Sequence, residues 1–148
     1  PHRHQTCWAE GMARTLEELP LYSKVLEFWD AVAAILKHSQ LRRNRKLFDQ
    51  IDSANDSIDS NMREGFEQPT DAAFANFVSI AKGSVEEVMT RMRQANRKGL
   101  VSDADAARID ELGAPLGKMM GGFIKYLRAT GYTDRGRHSV APSPPTRR

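Results

Sequence analysis

Cysteine is almost absent from this chain of 148 residues: Cys7, in the N-terminal stretch, is the only one. No intramolecular disulfide can staple the fold, so a reducing compartment such as the cytoplasm is the simplest expectation. Histidine is nearly as scarce, and of His2, His4, His38 and His138 only His38 lies away from the two ends. A Ser–His or Cys–His couple therefore has almost nothing to be built from. None of the four histidines follows a glutamate by three positions, as a di-iron bundle site requires. His-Glu-x-x-His zinc chemistry and the Gly-x-x-x-x-Gly-Lys phosphate loop are missing too. His2, His4, Cys7 and Trp8 lack the spacing of a metal site and read as part of an extension. These gaps lead to the expectation of a non-enzymatic protein with no cofactor and no metal. No apolar run approaches the ~18 residues a membrane span needs. The opening Pro1-His2-Arg3-His4 holds no signal-peptide core.

Charge of one sign is also lacking over most of the chain. The formal net charge is +3, and the tail from Thr133 accounts for all of it, with Arg135, Arg137, Arg147 and Arg148 against Asp134. Residues 1–132 are neutral, so any attraction to nucleic acid must come from local patches and the tail.

What the chain does have is helical periodicity. Leu21, Val25, Phe28, Val32, Ile35 and Leu36 recur at steps of three and four, predicting a first helix from about Leu16 or Leu21 to Ser39. Leu47, Ile51, Ala54, Ile58, Met62 and Gly65 predict a second over Asn44 to Phe66. Phe74, Phe77, Val78, Ala81, Ser84, Val85, Val88, Met92 and Ala95 predict a third, capped by Thr70 and stopped by Gly99. Ile109, Leu112, Leu116, Met119, Met120, Phe123 and Leu127 predict a fourth, capped by Ser102 and ending near Gly131. Pro115 inside it should bend or interrupt it. Four helices with one main stripe each and short breaks near 40–44, 67–70 and 99–102 give an all-α, up-down-up-down four-helix bundle. The division is 1–15, an N-terminal extension; 16–132, the bundle; and 133–148, a disordered basic tail whose Ala141 to Thr146 run is too Pro- and Ser-rich to bury a core.

Two features exceed what a bundle core needs. Trp29 widens the apolar face of the first helix, either as a second contact or as cover for the core edge. Gly113, Gly117 and Gly121 are spaced by four on the last helix. Each costs about 1 kcal/mol relative to alanine, which close approach by another helix would offset; local flexibility beside Pro115 is the other reading. With the Met119-Met120 pair, these features lead to the expectation of a homo-oligomer arranged as a closed ring.

Within Asn44 to Lys98, Gln50-Ile51, Ala54, Ser57-Ile58, Asn61-Met62, Glu64-Gly65-Phe66, Phe74, Phe77, Ala81-Lys82-Gly83-Ser84 and Glu87 form a recurring pattern. It resembles the bacterial four-helix-bundle family named for proteins encoded in intervening sequences of 23S rRNA genes. It is similar also to the accessory variability determinant of diversity-generating retroelements. The similarity covers roughly Leu19 to Thr130. It implies the bundle fold, with Ser57, Asn61, Glu64, Gly65, Gly83, Ser84 and Glu87 as a structural signature. The retroelement likeness implies a pentamer that binds RNA and a reverse-transcriptase-like protein, although this chain has a neutral body where those proteins are strongly basic.

Two readings compete for the signature polar residues. Glu64 and Glu87 could form a carboxylate pair, or serve as surface charges. Ser57, Asn61 and Ser84 fit a close helix–helix contact in which small polar groups bond to each other. The basic residues carry more information. Arg42, Arg43, Arg45 and Lys46 open the second helix, and Arg91, Arg93, Arg97 and Lys98 close the third. An antiparallel hairpin brings both sets to one end of the bundle, with partial offset expected from Asp49, Asp103 and Asp105. Cations at the end of the third helix suit its dipole; those at the start of the second oppose theirs. The cluster is either a phosphate-binding patch for RNA or DNA or a solvated face. A structural protein–protein interaction module without a nucleic-acid role is the alternative function.

Overall fold

The computed structural model describes residues 15–130. The expected extension, the basic tail and a helix end at Gly131 lie outside or at the edge of these residues. Among the described residues there are four α-helices and no strand: α1 (Pro20–His38), α2 (Arg45–Phe66), α3 (Asp71–Arg97) and α4 (Asp103–Ala129). Short 3-10 turns at Leu16–Glu18 and Gln40–Arg43 precede α1 and α2. Successive helices pack side by side, and α1 closes the bundle against α4.

Local chemistry sets the helix ends. The side-chain oxygens of Asn44, Thr70 and Ser102 accept the N–H of Leu47, Ala73 and Asp105 at 3.1 Å each, so three helix starts are capped by the residue before the first turn. Pro20 occupies the first turn of α1, where its missing N–H is not needed. Gly99, with φ of 72°, ends α3 in the left-handed region that glycine tolerates.

The predicted stripes of α1 and α2 form the core, as does that of α3 except for Phe77, which is only half-buried while Ala75 and Met89 are buried instead; Val25, Phe28, Ile51, Ile58, Phe74 and Val85 are fully buried. Leu41, in the turn before α2, is also fully buried, a role no helical periodicity could announce. The stripe of α4 is rotated from the predicted one. Its buried line runs Ala106, Ile109, Gly113, Leu116, Met120, Ile124 and Leu127, while Leu112 and Phe123 sit at the core edge and Met119 is 40% exposed.

Pro115 neither breaks nor interrupts α4, which runs unbroken from Asp103 to Ala129. Pro115 is on the solvent face, where water can serve the carbonyl that loses its partner, so the missing N–H costs least there. The spaced glycines do not act alike. A Cβ on Gly113 would lie 2.6 Å from Met89 Sδ and 3.0 Å from Phe28 Cε2, so only glycine fits. A Cβ on Gly117 would meet nothing within 4 Å, and one on Gly121 only the Lys82 side chain at 3.7 Å. Close approach of neighbouring helices inside the chain explains Gly113 alone.

Candidate nucleic-acid interface

The α2–α3 hairpin positions the candidate residues. Asn61 Nδ2 donates to Ser57 Oγ at 2.9 Å, Ser57 and Ser84 hydroxyls lie 2.9 Å apart, and Ser84 Oγ donates to the Ile80 carbonyl at 3.2 Å. Ser84 Oγ stands within hydrogen-bonding distance of both Ser57 Oγ and the Ile80 carbonyl, and Asn61 Nδ2 also donates to the Ser57 carbonyl at 2.8 Å. The chain is closed within the two helices. It ties α2 to α3 through the Ser57–Ser84 contact, so these signature residues act as a structural lock.

The other signature residues divide. A Cβ on Gly65 would stand 2.7 Å from both Phe74 Cδ2 and Phe77 Cβ, so this glycine sets how closely the start of α3 approaches α2. Gly83 is exposed, with open space where a Cβ would be. Glu64 is exposed near the Glu67–Thr70 turn, whereas Glu87 lies across from Ala54 in a groove. With Ser57 facing Ser84, Glu64 and Glu87 are about ten residues apart in register, or ~15 Å along the axis. They do not form a carboxylate pair.

That groove runs between α2 and α3 toward the basic end. Lys46, Asp49, Gln50, Ser53, Ser57 and Glu87 line most of its volume of about 500 Å³. Its charges are mixed, with one lysine against two carboxylates, and it holds no histidine, cysteine or aromatic side chain. Among the described residues no group of three or more His, Cys, Asp or Glu side chains is placed to hold a metal.

At the open end of the hairpin the two loops are tied together. The N–H of Gln40 donates to the carbonyl of Leu100 at 3.1 Å, joining the turn before α2 to the turn after α3. Arg42 and Arg43 stand two and three residues from this joint on one side, and Lys98 and Arg97 stand equally far from it on the other. Arg42 and Arg43 lie on the 3-10 turn rather than on α2 itself, and Asn44 separates them from Arg45 and Lys46.

The eight cations differ in how they are engaged. Arg45 lies 3.3 Å from Asp49, 5.9 Å from the centre of the Phe48 ring, and largely in solvent. Arg93 makes two bonds to Asp110 on α4, at 2.9 and 3.2 Å. Arg91 donates to Gln94 at 3.3 Å. Among the described residues, Arg42, Arg43, Lys46, Arg97 and Lys98 have no ion-pair partner. On α3, Arg93 and Arg97 share one face, because residues four apart align on a helix, while Arg91 lies on another and Lys98 follows the last turn.

The expected offsets are also rearranged. Asp49 does pair with Arg45. Asp103 instead accepts from Asn96 at 2.7 Å, and Asp105 lies 2.8 Å from His38 Nε2. Asp110, absent from the sequence reading, is the carboxylate that neutralises Arg93. Its distance of 17 positions from Arg93 carries no periodic signal; only the packing of α4 on α3 places it there.

A second polar group bridges α1 and α2 far from the basic end. The buried Tyr22 hydroxyl donates to Asp59 and accepts from Arg63 Nη2 at 2.7 Å. Burial, reinforced by the Asp59 hydrogen bond, raises the Tyr22 pKa to about 12. Asp59, acting through its hydrogen bond, makes Arg63 hold its proton more tightly. This network also reaches Glu17, 3.3 Å from Arg63, and fastens the segment before α1 to α2. Sequence gives no hint of it, since the i,i+4 pair Asp59–Arg63 reads as an ordinary surface pair.

The geometry defines a four-helix bundle whose central hairpin is locked by small polar residues and carries a cationic joint at its open end. The family model of the 23S rRNA-intervening sequence protein matches residues 17–122, and the chain belongs to that family. A crystal structure of a protein of unknown function from the S23 ribosomal protein family of Bacteroides thetaiotaomicron VPI-5482 superposes with a TM-score of 0.63 at 23% identity. The match covers 71% of this chain and 98% of that one. At that identity the likeness speaks for the fold. No curated protein matches the sequence.

Proposed function

We propose that the protein is a non-enzymatic, cytoplasmic bundle that assembles with copies of itself and binds RNA or DNA, or an enzyme acting on them, through its basic end. The observation that carries this reading is the Gln40–Leu100 hydrogen bond, with Arg42 and Arg43 two and three residues from it on one side, Lys98 and Arg97 as far on the other, and all four exposed without ion-pair partners among the described residues. Gathering like charge at one end costs Coulomb energy that a polyanion would relieve. The start of α2 adds to this, because its first turn has no acidic residue and its dipole favours an anion.

Phosphate contacts position a ligand without reading its bases, so binding is sequence-tolerant. The cluster lacks exposed aromatic rings for stacking, with Phe48 half-buried under Arg45, which favours a structured duplex over a single strand. In a ring the clusters of all subunits share one rim, and the resemblance noted above makes five the expected count and a reverse-transcriptase-like protein a candidate partner.

The test is filter binding of structured RNA and duplex DNA across a salt series. The expected result is binding whose log–log salt slope is about −0.7 to −0.9 per phosphate neutralised. Absence of binding at low salt would favour a protein–protein interaction module, the reading that the balanced charge of the bundle body supports.

A further inference from the structure

We propose that the outer face of α4 of one molecule seats along the α1–α2 seam of a second copy, in a head-to-tail contact that leaves the basic end open. This rests on the self-association in the reading above and names the two surfaces that would carry it.

Two of the few large apolar side chains left in solvent mark these surfaces. Leu26 is 39% exposed on α1, and Met119 is 40% exposed on α4. Around Leu26, Trp29 and Ala33 follow at three and seven positions and are half-buried. The Trp29 ring reaches over α2, donating from Nε1 to Asp56 at 3.3 Å. The seam is therefore an apolar strip with part of a tryptophan in solvent. Asp30, Asp52 and Asp56 border it, exposed and without an ion-pair partner among the described residues.

The face around Met119 carries the opposite sign. Gly122 lies three residues on, with open space at its Cβ position, so a partner can approach the backbone there. Arg108, Lys118 and Lys125 border this face, also exposed and without ion-pair partners among the described residues, against the single Glu111. Asp30, Asp52 and the Trp29-bonded Asp56 thus flank one apolar strip, and three cations without ion-pair partners among the described residues flank the other. Like faces would repel if paired with themselves, which selects the unlike pairing of a head-to-tail contact. At 27 residues α4 is about 40 Å long, enough to lie along the seam and bury the roughly 800 Å² per partner of an ordinary stable interface. A contact of this kind continues from copy to copy and closes into a ring when the rotation allows.

The experiment is light scattering at micromolar concentration on the parent chain, Asp52→Lys/Asp56→Lys, Lys118→Glu/Lys125→Glu, and the 1:1 mixture of the two variants. The parent is expected at a multiple of 16.6 kDa, each double variant alone at 16.6 kDa, and the mixture back at a multiple, since each variant restores complementarity to the other. Gly122→Trp, which fills open space in the single molecule, is expected to block assembly with helical circular dichroism unchanged. In a Trp8→Phe background, Trp29 emission should shift to the blue on assembly. A parent oligomer that keeps its mass in both double variants overturns the assignment of surfaces and leaves the assembly reading standing. Loss of assembly only in the α4 variant overturns the head-to-tail pairing in favour of α4 against α4. A mixture that stays at 16.6 kDa overturns the charge complementarity. A parent that runs as a monomer overturns both this proposal and the assembly reading beneath it.

Discussion

The two ends of the α2–α3 hairpin are built on opposite principles. At the closed end, Phe74 is fully buried, meets Phe66 edge-on at 6.0 Å and Phe123 edge-on at 5.4 Å, and presses on Gly65. Packing shape dominates there, beside the buried Asp71 carboxylate, which accepts from Thr130 Oγ1 at 2.7 Å. At the open end the backbone is tied by one hydrogen bond between turns; Leu41 and Val101 beside it turn into the core, and the cationic side chains around them are long and solvated. Between the two lies the Ser57–Ser84–Asn61 lock, which fixes the register so that one end cannot shift without the other. The cations of the open end are thus free of the core, which takes only Leu41 and Val101 from the turns there. Stability and binding should therefore separate by position along the hairpin.

Changes at the closed end are expected to be largest. Phe74→Ala removes a fully buried ring from the aromatic cluster and should cost about 3–5 kcal/mol, read as a lower denaturation midpoint. Gly65→Ala pushes a methyl group into Phe74 and Phe77 and should cost about 1–3 kcal/mol, because backbone and rings must both move.

Tyr22→Phe, on the α1–α2 side, deletes a buried hydroxyl with two partners and should cost about 1 kcal/mol. It also changes the pH profile. The folded state keeps Tyr22 protonated up to about 12, against an ordinary value of 10.0. The resulting stabilisation is complete below pH 10 and is lost as pH rises toward 12. Denaturation midpoints across that window should fall more steeply for the parent than for Tyr22→Phe.

Gly83→Ala should act the other way, raising stability by about 0.5–1 kcal/mol, since the site is exposed, helical and open. Opposite outcomes for two glycines of one family signature would show that only Gly65 is held by packing.

Much of this contrast is legible in the residues, and what is not has identifiable causes. Thr70, Ser102 and Gly99 announce their helix ends because capping is a local matter. The stripes of the first three helices follow from spacing. The small polar residues Ser57, Asn61 and Ser84 could be placed face to face once the hairpin was antiparallel. Met119 and Ile124 exchange roles because α4 offers apolar residues on more than one line, and only the fit against Phe28 and Met89 at Gly113 chooses between them. Pro115 does not interrupt α4 because its face meets water, a fact that only the packing supplies. The basic end is legible as a cluster, but its division into paired Arg93 and unpaired Arg97 depends on Asp110, which only the packing of α4 brings near. The Tyr22 network escapes the sequence for the same reason.

The proposed division of labour has the cations of the open end binding polyanions and contributing little to the fold. Replacing Arg42, Arg43, Arg45 and Lys46 together with Gln should change stability by no more than about 0.5 kcal/mol, since all four are exposed and the Arg45–Asp49 pair is a surface one. The most direct measurement is the salt dependence of RNA binding for this quadruple variant beside the parent. A slope shallower by up to about three to four phosphates, with helical content intact, is the result the account predicts. Equal affinity and equal slope at every salt concentration would contradict it and make the cluster a solvated face.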